Sequence, residues 1–163
     1  MKILFASDHA GFELKKELLL YAEELGYTIE DMGPSAFDEG DDYPDFIKRV
    51  AKKIAQKPEE NRGVVIGGSG QGEAMTANRF PHVRAAVFYG PALPQNPIDI
   101  DGKTSTDPFE NVRLSRIHND ANVLSIGARF ADKETAKKAM RIWLETQFYG
   151  EERHARRINK IDS

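Results

Sequence analysis

Cysteine is absent from all 163 positions, which removes disulfides, thiolate nucleophiles and Cys-ligated zinc together. There is no basic excess either. The 23 Lys and Arg stand against 26 Asp and Glu, a formal net charge of −3, whereas a general nucleic-acid binder carries surplus positive charge. No apolar run is long enough to cross a bilayer, and the opening Met1-Lys2-Ile3-Leu4-Phe5 is too short for a signal peptide. No Lys occurs between Lys57 and Lys103, so the glycine-rich stretch lying there lacks the Gly-Lys-Ser/Thr of a phosphate-binding P-loop. The dinucleotide fingerprint fails as well. Counted from Gly70 its last glycine is Met75, and counted from Gly68 it is Glu73. What remains is a single domain over 1–163, expected in the cytoplasm, with neither nucleic acid nor membrane as partner.

What is present centres on Gly67-Gly68-Ser69-Gly70-Gln71-Gly72-Glu73, directly after the apolar run Gly63-Val64-Val65-Ile66. That order reads as a buried strand, a tight turn and the start of a helix. Backbone N–H groups in such a turn have no side chains before them and no intrahelical partners, so they favour negative charge. A carboxylate, Glu73, stands among them. Proton abstraction needs that pairing: a base beside donors that hold the oxyanion it creates. Taken alone, the same turn is also an ordinary tight connection, with Glu73 complementing a helix dipole.

Strand and helix signals alternate along the chain. Strands are expected at Ile3–Ser7, Tyr27–Asp31, Val64–Ile66, Arg84–Tyr89 and Val123–Ile126. Helical faces run through Leu14, Leu18, Ala22 and Leu25; through Ile47, Val50, Ala51 and Ile54; and through Ala136, Met140, Trp143 and Leu144. Another helix continues from the glycine-rich turn to about Arg79, and a basic helix over 151–161 ends the chain. The spacing predicts a five-stranded parallel sheet covered on both faces, an α/β three-layer fold. Ligands of such sheets bind beyond the carboxyl ends of the strands. One stretch, about 90–112, carries prolines at 91, 94, 97 and 108 and no clear period. It reads as an insertion at the same edge.

Polar residues gather at four places: Ser7-Asp8-His9-Ala10-Gly11, the Gly67–Asn78 turn, Arg116 to Asn122 with Gly127-Ala128-Arg129 after the next strand, and Arg153-His154-Ala155-Arg156-Arg157. In this order they resemble the ribose-5-phosphate isomerase B family, which includes the galactose-6-phosphate isomerase subunits, over nearly the whole chain. The resemblance implies a Rossmann- or flavodoxin-like fold, a homodimer or a tetramer with sites at the interface, and no metal or cofactor. It implies aldose–ketose isomerisation of a small-molecule sugar phosphate through an enediolate, with ribose 5-phosphate as first choice. Many family members carry a cysteine base where this chain has Gly67. A second subgroup has Gly there and a glutamate just after the turn, and Glu73 matches it.

The roles implied are these. Glu73 moves the proton between C1 and C2, and Ser69 shuttles the hydroxyl proton. The backbone of Gly68, Gly70 and Gly72 holds the enediolate. His118 opens the sugar ring with Asp8 as partner, and Asn119 lies beside it. His9, Arg129, Arg153 and Arg157 grip the phosphate. Each residue alone has an ordinary reading: His9 a satisfied strand-end histidine, His118-Asn119-Asp120 a turn, and Arg153 with Arg157 a solvated helix face. Asp41-Asp42 before Tyr43-Pro44 reads as a loop and helix N-cap. A hexose 6-phosphate of the galactose or allose type, or a non-catalytic sugar-phosphate binding module, are the alternatives.

Overall fold

The five strands are β1 (Lys2–Ser7), β2 (Thr28–Asp31), β3 (Asn61–Gly67), β4 (Ala85–Phe88) and β5 (Val123–Gly127). In the computed structural model, which describes all residues from Met1 to Ser163, they form one parallel sheet in the order β2-β1-β3-β5-β4. Alternation along β1 shows how the layers arise. Ile3 and Phe5 enter one apolar cluster and Leu4 and Ala6 the other, all fully buried. A strand covered on both faces needs such an unbroken apolar run. Each fully buried Ile, Leu or Phe contributes roughly 1.5–3 kcal/mol relative to exposure.

Helices α1 (Phe12–Glu24) and α5 (Lys133–Glu145) cover the first face with Leu18, Ala22, Met140 and Trp143. Helices α2 (Tyr43–Gln56) and α3 (Gln71–Ala77) cover the second with Ile47, Val50, Ile54 and Ala77. Two further helices, α4 (Glu110–Asn119) and α6 (Glu152–Ile161), pack on each other. No helix is long and apolar enough to cross a membrane.

The five expected strands are present, with β3 reaching back to Asn61 and β4 shortened to Ala85–Phe88. The helix after the glycine-rich turn stops at Ala77, two residues early. Helix α4 was not legible as a helix, and it corrects two expectations. The aperiodic stretch ends before Glu110, and His118-Asn119 close a helix instead of forming a free turn. The reason lies in α4's buried face, made of Glu110, Val112, Ser115 and Arg116. Only one of these is apolar. Arg116 is held there by hydrogen bonds from its guanidinium to the Ala121 carbonyl at 2.7 Å and the Asp120 carboxylate at 2.6 Å.

Strand register sets the site. Ser7 lies opposite Ile66, and Gly67 opposite Gly127. The segments after β1, β3 and β5 therefore leave the carboxyl edge side by side. Asp8, the Gly68–Gly72 turn and Arg129 become neighbours although 121 positions separate the first from the last.

Candidate active site

Gly70 shapes the central turn. It adopts a left-handed φ of +75°, and a Cβ there would press on the backbone of Ile126 and Gly127 at 3.1 Å. The Ser125 hydroxyl donates to the Gly70 carbonyl at 2.6 Å and pins it to β5. Within the turn, the N–H groups of Gly68, Ser69 and Gly70 donate to no group of the chain. Ser69 Oγ accepts from the Gln71 N–H at 3.3 Å, which leaves its own proton free.

Glu73 sits in the first turn of α3 and is 3% exposed. Its carboxylate lies in the volume that a side chain at Gly67 would take. Burial pushes the Glu73 carboxyl above its ordinary value, and the Asp8 carboxylate adds to the shift, while Glu73's own backbone N–H opposes it. Asp8 is itself buried and accepts from the Gly11 N–H at 3.0 Å. Arg129 donates its backbone N–H to the Gly68 carbonyl, and its guanidinium packs over Gly68. His9 joins this group. Its ring Nδ1 lies 2.7 Å from Asp41 Oδ1, and that same oxygen accepts the His9 backbone N–H at 3.1 Å.

His118 belongs to a second group. Together with Asn119, Arg153, His154 and Arg157 it lines a cavity of about 350 Å³ whose far wall is Pro97 to Ile100. Its ring stacks on that of His154, with centroids 4.3 Å apart and planes 15° from parallel. Burial lowers the His118 pKa, and the neighbouring His154 and Arg153 lower it further, against Glu151 and Asp99. Arg153 and Arg157 stand one helical turn apart and face this cavity together.

Of the expected site residues, the chain thus brings together Asp8, His9, Gly68, Ser69, Gly70, Gly72, Glu73 and Arg129. It brings together His118, Asn119, Arg153 and Arg157 separately. No hydrogen bond or ion pair joins the two sets. Asp8 therefore is not the partner of His118 within one chain, and the four residues expected to grip phosphate are split in two pairs. The stretch around Ile98 to Ile100 borders His118, as its position after β4 suggested, but not Glu73. No three His, Asp or Glu side chains gather closely enough to hold a metal ion.

Three contacts of the expected site residues escaped the sequence reading. Asp41 engages His9 instead of capping a helix, and Asp42, at the N-cap position of α2, makes no side-chain cap. The ring of Tyr43 lies against Gly72, where a Cβ would approach it at 2.6 Å. His154 stacks on His118. Its only sequence signal was its place between Arg153 and Arg157.

The family model described as Ribose/Galactose Isomerase matches residues 3–94 and 104–161. The chain belongs to this family. It is 35% identical over 160 residues to ribose-5-phosphate isomerase B of Escherichia coli, covering 98% of this chain and 93% of that one. With the protein of the same name from Mycolicibacterium paratuberculosis it shares 32% over 159 residues, 98% and 88% of the two chains. Among solved structures it is similar to ribose-5-phosphate isomerase B from Mycoplasma genitalium with bound ribulose-5-phosphate. The TM-score there is 0.85, at 34% identity over 99% of this chain and 93% of that one. The Rossmann-like three-layer fold is thus that of the family. Residues 95–103, which the family match leaves out, lie inside the proline-rich stretch and supply the wall facing His118.

Proposed function

We propose that this chain isomerises ribose 5-phosphate to ribulose 5-phosphate without cofactor or metal, with Glu73 as the base. The observation that carries the reading is Glu73 itself: a carboxylate 3% exposed and raised in pKa, in the helix turn that follows three backbone N–H groups with no partner in the chain. A carboxyl tuned upward is a better proton carrier near neutral pH. The name of the family and of the relatives above supports the substrate.

The reaction follows from these groups. Glu73 takes the C2 proton of the open-chain aldose, and the electrons move toward O1. The free N–H groups of Gly68, Ser69 and Gly70 stabilise the resulting enediolate. Ser69 gives O1 a proton and receives the one from O2. Glu73 then returns its proton to C1, leaving a ketone at C2.

The sugar arrives as a ring, and His118 is the group suited to open it. A lowered pKa favours the neutral imidazole, which accepts the anomeric hydroxyl proton and passes it to the ring oxygen as the bond from C1 to that oxygen breaks. Since His118 stands apart from Glu73 in one chain, we assign the complete site to a homodimer. His118, Asn119, Arg153 and Arg157 of one copy face Asp8, His9, Glu73 and Arg129 of another. Helix α6 fits this role, burying only His154 and Ile158 and presenting its arginines outward. All four cations of the phosphate grip then meet around one substrate, where binding of a remote group positions the reacting carbons.

A second reading, a hexose 6-phosphate, draws on the wall at 95–103, whose Pro97 to Ile100 line the cavity around His118. The test is direct. Purified protein is mixed with ribose 5-phosphate, and separately with allose 6-phosphate and galactose 6-phosphate, in EDTA. Ketose is expected first and fastest from the pentose. Faster hexose turnover favours the second reading, and no ketose from any of the three contradicts both.

A further inference from the structure

We infer that Asp41 is a positioning residue that holds His9 as an imidazolium, with its second ring nitrogen free for the substrate phosphate. This rests on the reading of His9 as part of the phosphate grip. Asp41 belongs to a loop whose preceding residues, 36–40, are all exposed, yet its side chain is only 5% exposed. A carboxylate taken out of water needs compensation. Here one oxygen, Oδ1, receives both the His9 backbone N–H at 3.1 Å and the ring Nδ1 at 2.7 Å. The other oxygen is buried without a partner. Such a bond to Nδ1 fixes ring rotation and leaves Nε2 to act.

The surroundings fit the charged form. Phe37 meets the His9 ring edge-on at 6.5 Å and carries no charge. The charged groups facing His9 are Asp41, Asp8 and Arg129. The hydrogen bond to Asp41 raises the His9 pKa, Asp8 adds to it, and burial and Arg129 oppose. The net direction is upward. In an imidazolium both nitrogens donate, so Nδ1–H goes to Asp41 and Nε2–H remains for an anion. Next to the Arg129 guanidinium, that donor supplies a second cation to a dianionic phosphate.

Asp41→Asn tests the idea, because an amide oxygen keeps both hydrogen bonds but not the charge. Sulfate is the probe, since its charge is constant between pH 5.5 and 8.5, and its binding is followed by calorimetry. At pH 7, Asp41→Asn is expected to weaken sulfate about 3- to 10-fold, the loss of a charge-assisted bond. The pH at which sulfate affinity declines should move downward. His9→Ala should weaken sulfate and erase the difference that Asp41→Asn makes. In turnover, KM should rise with kcat retained, which a merely structural defect would not produce. Wild-type sulfate affinity at every pH in Asp41→Asn, together with weakened affinity in His9→Ala, overturns the role of Asp41 alone. Unchanged affinity in His9→Ala overturns the phosphate reading of His9 and this inference with it. A variant-free measurement is the NMR titration of the His9 ring in the wild-type protein. A midpoint above the ordinary histidine value supports the inference, and one at or below it overturns it.

Discussion

The carboxylate of Glu73 occupies the space that a side chain at Gly67 would need. Position 67 ends β3 and position 73 opens α3, so strand and helix offer one volume that only one of them can fill. This gives the coincidence of Gly67 and Glu73 a steric cause. Gly67→Ala should displace Glu73 and lower kcat roughly 10- to 100-fold, in line with the sensitivity of catalysis to misplacement of about 1 Å. KM should change little. Gly67→Cys combined with Glu73→Ala places a thiol in that volume and should regain turnover over Glu73→Ala alone. Equal rates for the two would show that the volume is not where the base acts.

Burial of Glu73 also has a thermodynamic signature. A carboxyl whose pKa is raised by folding stabilises the fold while protonated, and that contribution is lost as pH rises through the folded value. At pH 8 the wild-type protein therefore carries the cost of a buried charge, which Glu73→Gln removes. The variant should melt higher than wild type at pH 8, and the gap should narrow as pH falls toward the ordinary glutamate range. A gap that widens on acidification would contradict the assigned shift.

His118 and Glu73 are assigned different steps and different copies of the chain. His118→Ala should slow ribose 5-phosphate far more than erythrose 4-phosphate, a tetrose phosphate that cannot close the same ring. His118→Ala and Glu73→Gln, each strongly impaired on ribose 5-phosphate alone, should complement after dissociation and remixing. Hybrid dimers then hold one intact site each, giving about a quarter of wild-type activity in a statistical mixture. No recovery, despite hybrid dimers shown by mass, would place both residues in one chain's site.

Much of this was legible before the fold was known. The apolar runs at β1, β3 and β5 read as buried strands, and the glycine-rich turn with Glu73 pointed to proton abstraction only in combination with the other polar segments. Two things were not legible. Helix α4 buries Glu110, Ser115 and Arg116, so its inward face carries no apolar period. Asp41 acts through a contact 32 positions away in sequence, and nothing local distinguishes it from Asp42. The separation of His118 from Asp8 was likewise invisible, because sequence order does not tell which residues share one copy.

The wall at 95–103 is held by its own bonds. The Ile98 N–H donates to the Lys103 carbonyl at 2.7 Å, and the Asp99 carboxylate accepts from the N–H groups of Asp101 and Lys103, both at 3.0 Å. Its one proline, Pro97, lowers the entropy lost on ordering. Replacing it with a short turn should change the ratio of kcat/KM between pentose and hexose phosphates. The oligomeric mass by light scattering should stay the same. Altered mass with an unaltered ratio would make it an assembly contact instead.

In the proposed reaction Glu73 alone moves the carbon-bound proton. The most direct test is ribose 5-phosphate turnover by wild type and Glu73→Gln, side by side in EDTA. The amide keeps the shape and removes the base, so kcat should fall roughly 10²- to 10⁴-fold with KM nearly unchanged. Near-equal kcat in the two proteins would contradict the account, as would wild-type activity that vanishes on chelation and returns with added metal.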